Sequence, residues 1–436
     1  MSKITVLGAG LVTGPLVRHL LSHSSHEVTV AARSQEAARR LVGDHPRGSV
    51  APLDVTDREA LSRLVQGSAV VVSMLPYVHH VTIAELCLQH RRHLVTTSYV
   101  SPAMRALDAQ ARERGVVLLN ELGLDPGIDH MSAMRVIHRV RAGGGRVVSF
   151  RSYCGGLPAP EANNNPWGYK FSWSPRGVVL AARNPARYLH QGQEVQVPGP
   201  ELFAHPERVE VGGMTFEGYP NRNALDYLKV YDLDGVHTMF RGTLRNLGHC
   251  KTWKALADLG LLDDTARCWK GTTTVGALLE LVGGSGDARQ AVATRLDMAP
   301  DSDPLYRLAW LGMFDESPLP SPEVSPLDLL VSHMVPRLRY APGERDMIVL
   351  RHEFIAEYPD RREALGSTFI DHGEPHGDTA MSRTVGLPAA IGVLKVLDGS
   401  LATPGVVVPV SPAVYDPILD ELERLGVGFR EERRTL

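Results

Sequence analysis

The chain has 436 residues, of which 43% are hydrophobic and 22% are charged, and its formal net charge is −3. This composition is typical of a globular protein of two to three domains and gives no sign of nucleic-acid or anionic-membrane binding. The sequence has no uninterrupted apolar run of transmembrane length, and its four cysteines form no CxxC pair. Because the first residues lead directly into a predicted strand, we expect no signal peptide. We therefore expect a cytoplasmic protein with reduced thiols and with neither nucleic acid nor membrane as a partner.

The N-terminus reads as a strand, a glycine turn and a helix. A β-branched run over residues 4–7 leads into Gly8-Ala9-Gly10, and a helix is predicted from about 12 to 21. Gly8 permits a tight turn, and Gly10 lets a pyrophosphate approach the helix N-terminus. In the glycine-rich pattern of dinucleotide-binding turns the third position is also a small residue, but here it is Thr13. The assignment of a dinucleotide site therefore depends on the surrounding strands and helices. The candidate cofactor residues of this turn are Gly8, Gly10, Leu11, Val12 and Thr13.

The second predicted strand, residues 27–32, ends at Arg33-Ser34 instead of at an acidic residue. An aspartate or glutamate at this point would favour NAD, because it binds the ribose 2′-hydroxyl. An arginine and a serine can bind a 2′-phosphate instead, so we interpret the site as one for NADP(H). The alternative is an ordinary surface arginine that opens the next helix.

Further strands are predicted at 49–53, 69–74, 93–97 and 116–120, with helices at 58–66, 81–89 and 102–114 between them. This alternation predicts an α/β fold, a Rossmann-type doubly wound parallel sheet over residues 1–127. Ligands bind at the carboxyl ends of such strands, so Asp54, Val55, Leu75 and Pro76 join the cofactor candidates. The alternative interpretation is that each of these four residues is an ordinary turn residue without contact to a cofactor.

After residue 127 the pattern changes to a mixed α+β domain, predicted over 128–377. Asp129 is expected to cap a helix that runs to about 141. Strands are predicted at 146–153, 209–216, 238–244 and 347–354, and a mostly helical stretch at 252–314. Helices at 379–398 and 417–425 lie in a C-terminal segment, 378–436, that we expect to complete the first domain.

Several long and chemically unusual blocks of sequence occur in one known family. They include LDVTD at 53–57, TSYVSPAMR at 97–105, NELGLDPGIDH at 120–130, SYCGGLPAPE at 152–161, NPWGYKFSWSPRGV at 165–178, YPNR at 219–222, FRGTLR at 240–245 and ERDMIVLRHEF at 344–354. Over nearly its whole length the chain resembles the NADP-dependent, L-glutamate-forming saccharopine dehydrogenase family. The resemblance implies that NADPH reduces the imine of L-glutamate and 2-aminoadipate 6-semialdehyde to saccharopine. It also implies a homodimer formed through the second domain, which makes that domain a substrate and dimerisation domain.

Asp125 is the candidate catalytic residue. It follows the sixth strand and precedes Pro126-Gly127, which fixes the direction of the turn. A carboxylate there can stabilise a protonated imine or hold the secondary ammonium of saccharopine. Ser98, Leu124 and Asp125 are also cofactor candidates. Alternatively, Asp125 only caps its turn or the following helix.

Saccharopine carries three carboxylates and two amines, so its site needs cationic and hydroxyl donors. Arg222 lies in a proline turn suited to a bidentate carboxylate clamp, and Lys170 and Arg176 flank a second candidate segment. Each of the three can also be an ordinary surface charge. Ser98 and Tyr99 follow the fifth strand, where nicotinamide and substrate meet, or else form a capped turn. The remaining substrate-binding candidates are Cys154 as a pocket wall, Phe171, Ser174 and Thr243.

The run of acidic and histidine side chains at 371–378 has metal-like chemistry, but it lies in a Gly/Pro-rich stretch. We interpret it as an exposed loop and predict no metal. Two other functions stay open beside the one that the resemblance implies. One is the joining of a different amine and aldehyde, as in a carboxynorspermidine-type dehydrogenase. The other is a catalytically silent NADP-binding relative.

Overall fold

The computed structural model describes every residue from Met1 to Leu436. The chain forms two compact units. Unit 1 comprises Met1–Arg146, Tyr358–Asp360 and Gly377–Glu432, and unit 2 comprises Val147–Glu357, Arg361–His376 and Arg433–Leu436. The helix that follows residue 127 belongs to unit 1, so the division falls after residue 146.

Residues 3–142 alternate strands and helices. The strands are β1 (Lys3–Leu7), β2 (Glu27–Ala32), β3 (Gly48–Pro52), β4 (Val70–Ser73), β5 (His93–Thr96) and β6 (Val117–Leu119). The helices are α1 (Gly14–His23), α2 (Gln35–Val42), α3 (Arg58–Gln66), α4 (His80–His90), α5 (Pro102–Arg105), α6 (Asp108–Arg114) and α7 (Ile128–Ala142). Side-chain caps fix several starts: Ser34 accepts the Ala37 N–H before α2, and Asp57 accepts the Ala60 N–H before α3.

The middle of the chain mixes longer strands with a group of short helices. Its strands are β7 (Arg146–Pro158), β8 (Ala186–His190), β9 (Gln193–Val197), β10 (Glu207–Val211), β11 (Met214–Pro220), β12 (Thr238–Arg245), β13 (Arg267–Cys268), β14 (Glu323–Val324), β15 (Asp346–Glu357) and β16 (Arg362–His372). Its helices are α8 (Pro175–Ala181), α9 (Asp226–Val230), α10 (His249–Asp258), α11 (Thr274–Val282), α12 (Ala288–Leu296), α13 (Asp303–Trp310) and α14 (Pro326–Arg337). The C-terminal segment contains α15 (Ala380–Leu397), β17 (Gly405–Val407), α16 (Pro412–Arg424) and β18 (Arg430–Thr435).

The sheet of unit 1 has seven strands in the order β17-β6-β5-β4-β1-β2-β3, and every pair is parallel. This is a doubly wound Rossmann-type sheet, with one extra strand from the C-terminal segment beside β6. All its carboxyl ends lie at one edge, which positions the loops after β1 to β6 together. The predicted fold class is therefore confirmed for this part of the chain.

Helix α15 lies against α1 in unit 1. It is long and apolar enough to cross a membrane by composition alone, but 67% of that stretch is buried inside the protein. Close packing depends on Gly386, where a Cβ atom would come 2.9 Å from the Leu16 nitrogen and 3.1 Å from the Val12 oxygen. The helix is therefore part of the core of unit 1.

Unit 2 is built on a mixed sheet in the order β10-β11-β12-β7-β15-β16-β18, with β8 and β9 attached beside β12. Strands β12 and β7 run parallel, while β11 pairs antiparallel with β12 and β15 with β16. A second core of this unit gathers the helices around Trp167, Tyr169 and Trp253, which are all buried. The mixed α+β domain predicted from the sequence is thereby confirmed.

Some element boundaries predicted from the sequence are wrong. The strand predicted over 209–216 is a hairpin, because Gly212 and Gly213 have φ of 59° and 77° and turn the chain between β10 and β11. The helix predicted over 102–114 is two helices, α5 and α6. The last helix begins at Pro412, and Pro417 lies inside it. A proline costs no hydrogen bond in the first helical turn, so the earlier proline starts the helix.

Asp129 is not the N-cap of α7. Gly127 occupies that position with φ of 148°, and the Asp129 carboxylate accepts the Gly127 N–H at 2.6 Å from within the first turn. The stretch predicted as mostly helical at 252–314 contains α10 to α13 but also the short strand β13. Asp371 and His372 of the acidic run belong to β16.

Candidate active site

The glycine turn after β1 has the features that a dinucleotide needs. Gly8 has φ of 106°, and a Cβ atom there would lie 3.2 Å from the Met74 oxygen. A Cβ atom on Gly10 would meet nothing within 4 Å, and the Gly10 N–H donates to Thr13 Oγ1 at 3.2 Å. Helix α1 begins directly after this turn at Gly14. The backbone at Gly10 is therefore accessible beside a helix N-terminus, which fits a diphosphate.

The end of β2 presents an exposed Arg33 and an exposed Ser34. Ser34 Oγ accepts the Ala37 N–H at 3.2 Å, which leaves its own hydroxyl hydrogen to donate. The first acidic residue beyond β2 is Glu36, and it forms an ion pair with Arg40. A cation and a hydroxyl donor without a free carboxylate fit a 2′-phosphate better than a 2′-hydroxyl.

The loops after β3 and β4 add polar and apolar groups to the same edge. Asp54 Oδ1 accepts from the Thr56 N–H at 2.9 Å and from its hydroxyl at 2.7 Å, and these bonds lower the pKa of Asp54. Val55 and Leu75 are half-buried and Pro76 is exposed. Leu11 after β1 and Tyr77 after β4 are 64% and 66% exposed, unusual values for large apolar side chains.

Ser98, in the loop after β5, is held by a buried histidine that the sequence did not single out as functional. His80 Nε2 lies 2.9 Å from Ser98 Oγ, and His80 Nδ1 lies 3.0 Å from Ser73 Oγ. Burial, with a smaller effect of His79, lowers the pKa of His80 to about 4. The ring is therefore neutral at pH 7, with one nitrogen as donor and the other as acceptor.

Tyr99 follows β5 and Asp125 follows the neighbouring strand β6, and their side chains are in contact. The Tyr99 hydroxyl donates to Asp125 Oδ1 at 2.5 Å, and the Asp125–Pro126 peptide bond is cis. Leu124 beside them is buried, while Tyr99 and Asp125 are half-buried. A carboxylate that accepts a phenol hydrogen bond is suited to attract a cationic group of a ligand.

In unit 2, Cys154 and Thr243 are partners in the register of β7 and β12, and Thr243 pairs with Tyr219 of β11. Two residues further along β12 lies Arg245, which is 7% exposed. Its guanidinium donates to the Leu244 carbonyl at 2.9 Å and lies 5.1 Å from the Tyr169 ring centroid, while its Nε atom has no partner. Burial raises the pKa of Tyr219 to about 12, so this phenol is neutral.

Arg245 was missed by the reasoning from sequence, although a charged residue inside an apolar strand was a signal for it. A buried guanidinium without a carboxylate partner is costly unless an anion meets it. Arg222 differs from Arg245 in its exposure to solvent. It has a φ of 54°, and its backbone carbonyl accepts the Arg187 N–H.

The other predicted substrate residues of unit 2 have partners within the protein. Lys170 Nζ lies 2.5 Å from Glu344 Oε2, and Phe171 belongs to the helical core. Ser174 Oγ accepts the Gly177 N–H and caps α8, and Arg176 donates to Asp328 Oδ1 at 2.8 Å. These contacts favour structural roles for Lys170 and Arg176. No group of three or more His, Cys, Asp or Glu side chains is arranged to hold a metal ion.

The parallel sheet, the accessible glycine turn and the basic end of β2 define an NADP-binding oxidoreductase of the two-domain type. The family model "Saccharopine dehydrogenase NADP binding domain" matches residues 4–119, and "Saccharopine dehydrogenase C-terminal domain" matches residues 123–427. The chain belongs to the saccharopine dehydrogenase family.

Individual relatives agree with this assignment. The chain is 38% identical to "Saccharopine dehydrogenase [NADP(+), L-glutamate-forming]" of Saccharomyces cerevisiae, with 99% of each chain covered. It is 36% identical to the mitochondrial alpha-aminoadipic semialdehyde synthase of Bos taurus, of which it covers 47%. Apo saccharopine dehydrogenase (L-Glu forming) from S. cerevisiae superimposes with a TM-score of 0.88 at 37% identity, over 100% of each chain.

Proposed function

We propose that this chain catalyses the reversible, NADPH-dependent reduction of the imine formed from L-glutamate and 2-aminoadipate 6-semialdehyde, giving saccharopine. The observation that carries the proposal is the Tyr99–Asp125 pair, 2.5 Å apart, on the strand edge that also bears the Gly8–Gly10 turn and Arg33. An acidic group at the carboxyl edge of a nucleotide-binding sheet suits a substrate that becomes cationic before it accepts hydride.

The reaction balances with one proton and one hydride. The imine nitrogen takes up a proton, the carbon of the C=N bond accepts the hydride, and the π electron pair becomes the lone pair of the secondary amine. Bound NADPH supplies the hydride. In this proposal the Asp125 carboxylate stabilises the positive charge on the protonated imine, and Tyr99 fixes the orientation of that carboxylate.

The carboxylates of the substrate need cationic partners. Arg245 supports this role because its buried guanidinium hydrogen-bonds only backbone carbonyls. Arg222 supports it because it is exposed in a turn with positive φ. We propose that these two arginines bind substrate carboxylates, together with Thr243, two residues before Arg245 on β12, and Cys154, the partner of Thr243 on β7.

The test uses the purified full-length chain with saccharopine and either NADP or NAD, followed at the nicotinamide absorbance band. We expect NADP to be reduced much faster than NAD, with free glutamate as a product. Asp125→Asn, which keeps the shape of the side chain and removes its charge, should lower kcat. Glu113→Gln changes an exposed residue on α6 and should leave the rate unchanged.

The two alternatives give different results in the same assay. An enzyme for another amine and aldehyde would leave saccharopine unreacted and turn over a different pair in a substrate screen. A silent relative would bind NADPH without turnover of any pair. Either result would reject the proposed reaction.

We further propose that the protein acts as a cytoplasmic homodimer. The four cysteines form no disulfide, and three of them are buried, which agrees with a reducing compartment. The family resemblance supports a dimer that is formed through the second domain. Light scattering after size-exclusion chromatography measures it directly, and a mass equal to that of one chain would contradict it.

A further inference from the structure

We propose that Glu121 is a positioning residue that fixes the segment Ser98–Val100 and thereby aims Tyr99 at Asp125, with His130 as its buried partner. The inference rests on the proposed function, because it assigns Tyr99 and Asp125 to the active site. The structure provides three observations for it.

The first observation is that Glu121 holds both chain neighbours of Tyr99. The Glu121 N–H donates to the Ser98 carbonyl at 3.2 Å, and Glu121 Oε1 accepts the Val100 N–H at 2.9 Å. One residue at the end of β6 therefore anchors the peptide groups on each side of Tyr99. With both anchors fixed, the Tyr99 side chain has little freedom except rotation toward or away from Asp125.

The second observation is the backbone of Glu121, which has φ of 57°. This left-handed conformation is unfavourable for a residue with a long side chain, and it persists where surrounding contacts enforce it. The bonds to Ser98 and Val100 are contacts of that kind. Residues held in this way cluster at functional sites, and here the conformation turns one side chain toward the loop after β5.

The third observation is a buried partner that links both halves of the Tyr99–Asp125 hydrogen bond. Glu121 and His130 are 3% and 0% exposed, and His130 Nε2 lies 2.8 Å from Glu121 Oε2. On its other side, His130 Nδ1 lies 3.6 Å from Asp129 Oδ2, and Asp129 Oδ1 accepts the N–H of Gly127. Gly127 follows the Asp125–Pro126 turn, so His130 connects the Tyr99 side with the Asp125 side.

The central experiment is a double-mutant cycle in the full-length protein. Glu121→Gly suits the positive φ and keeps the backbone bond to Ser98 but removes the acceptor for Val100. We expect it to lower kcat/KM for saccharopine at least about fivefold in the wild-type background and less than about twofold in Tyr99→Phe. Glu121→Gln keeps an acceptor for Val100 and should retain more activity than Glu121→Gly. Glu113→Gln, an exposed change on α6, is the matched control.

A purely structural role would give a different pattern. If Glu121→Gly lowers kcat/KM by the same factor in the wild-type and in the Tyr99→Phe background, the proposal is overturned. Wild-type kinetics in the single variant Glu121→Gly would also overturn it. If Glu121→Gly does not fold, the same cycle with Glu121→Asn, which tolerates a positive φ and has a side chain one methylene shorter, decides between the two patterns.

A second readout does not depend on which reaction the enzyme performs. Crystal structures of the wild type and the Glu121 variant should show the Tyr99 hydroxyl moved away from Asp125 in the variant. An unmoved Tyr99 overturns the positioning role even where saccharopine is turned over. Conversely, a moved Tyr99 in a protein that does not oxidise saccharopine supports the positioning role and rejects the proposed function.

Discussion

Four cations of unit 2 differ in what neutralises their charge. Arg176 and Lys170 each face a carboxylate of the protein, Asp328 and Glu344. Arg245 is buried against carbonyls and aromatic rings, and Arg222 is exposed. A cation already held by a protein carboxylate gains little from a ligand carboxylate, so Lys170 and Arg176 are the weaker candidates for substrate binding.

Arg222→Ala tests the carboxylate clamp at the residue scale. A lost charge-assisted pair of about 1.5–3 kcal/mol corresponds to a rise of about 10- to 100-fold in KM for saccharopine. The matched control is Arg176→Ala, which removes an arginine paired with Asp328 and should change KM by less than about twofold. Steady-state kinetics measure both, and equal effects in the two variants would contradict the assignment of Arg222.

Arg33→Ala tests the choice of cofactor. The exposed guanidinium at the end of β2 is expected to pair with the 2′-phosphate, which NADH lacks. The dissociation constant of NADPH should rise about 10- to 100-fold while that of NADH changes less than about twofold. Titration of nicotinamide fluorescence measures both constants. Equal losses for the two cofactors would remove Arg33 from the phosphate site.

Among the elements, the contact between α15 and α1 links the C-terminal segment to the glycine turn. A Cβ atom on Gly386 would press on the Leu16 nitrogen and the Val12 oxygen, which are backbone atoms that cannot rotate away. Gly386→Ala should therefore lower the free energy of unfolding of unit 1 by about 1–3 kcal/mol. It should also weaken NADPH binding, because α1 carries the turn that faces the phosphates.

Urea unfolding followed by circular dichroism measures this effect. All five tryptophans lie in unit 2, so their fluorescence would not report on unit 1. Gly67→Ala is the control, because a Cβ atom there lies 3.6 Å from the Arg63 oxygen, an ordinary contact, and φ is −78°. If both variants unfold at the same urea concentration, the packing argument fails.

The elements of the nucleotide sheet could be predicted well from the sequence, because buried parallel strands appear as short apolar runs between amphipathic helices. Strand β2 and helix α3 have the predicted bounds, and β1 to β6 lie within a residue or two of them. Strands β8 and β9 were not predicted, because apolar and polar residues alternate only weakly along them and because their place in the sheet is set by pairing with β12, which is distant in sequence.

Site residues could be predicted where a local sequence signal marks them, but not where their role depends on partners that are distant in sequence. Tyr99 and Asp125 were candidates because a strand end marks the ligand edge of a parallel sheet. His80, Glu121 and Arg245 were not, because their importance lies in partners that only the fold brings close. Ser174 was a substrate-binding candidate, but a serine before a proline is also a typical helix cap.

For the molecule as a whole, buried histidines predict sensitivity to acid. Burial lowers the pKa of His80 and of His19 to about 4, and it also lowers that of His249 in unit 2. The unfolded chain binds protons on these rings below about pH 6.5, whereas the folded chain binds them on His80 and His19 only near pH 4 and on His249 only well below pH 6.5. Stability is therefore lost as the pH falls through this window and regained as it rises.

His80→Gln isolates one contribution. Between pH 7 and pH 5 the wild type should lose about 2 kcal/mol more of its free energy of unfolding than the variant, whose amide can still bridge Ser73 and Ser98. Urea denaturation at the two pH values, again by circular dichroism, gives the difference. Identical pH dependence in the two proteins would show that His80 is not the titrating group.

The return of the C-terminal segment to unit 1 has a consequence for biosynthesis. Strand β17 pairs with β6, and α15 covers α1, but residues 147–376 are made before either element exists. At about 5–20 residues per second, a ribosome needs roughly 10–50 s to bridge that interval. During that time the nascent nucleotide sheet displays a bare strand edge and an uncovered apolar helix. Chaperone occupancy on stalled ribosomes should therefore rise after residue 146 and fall once α15 and β17 have emerged.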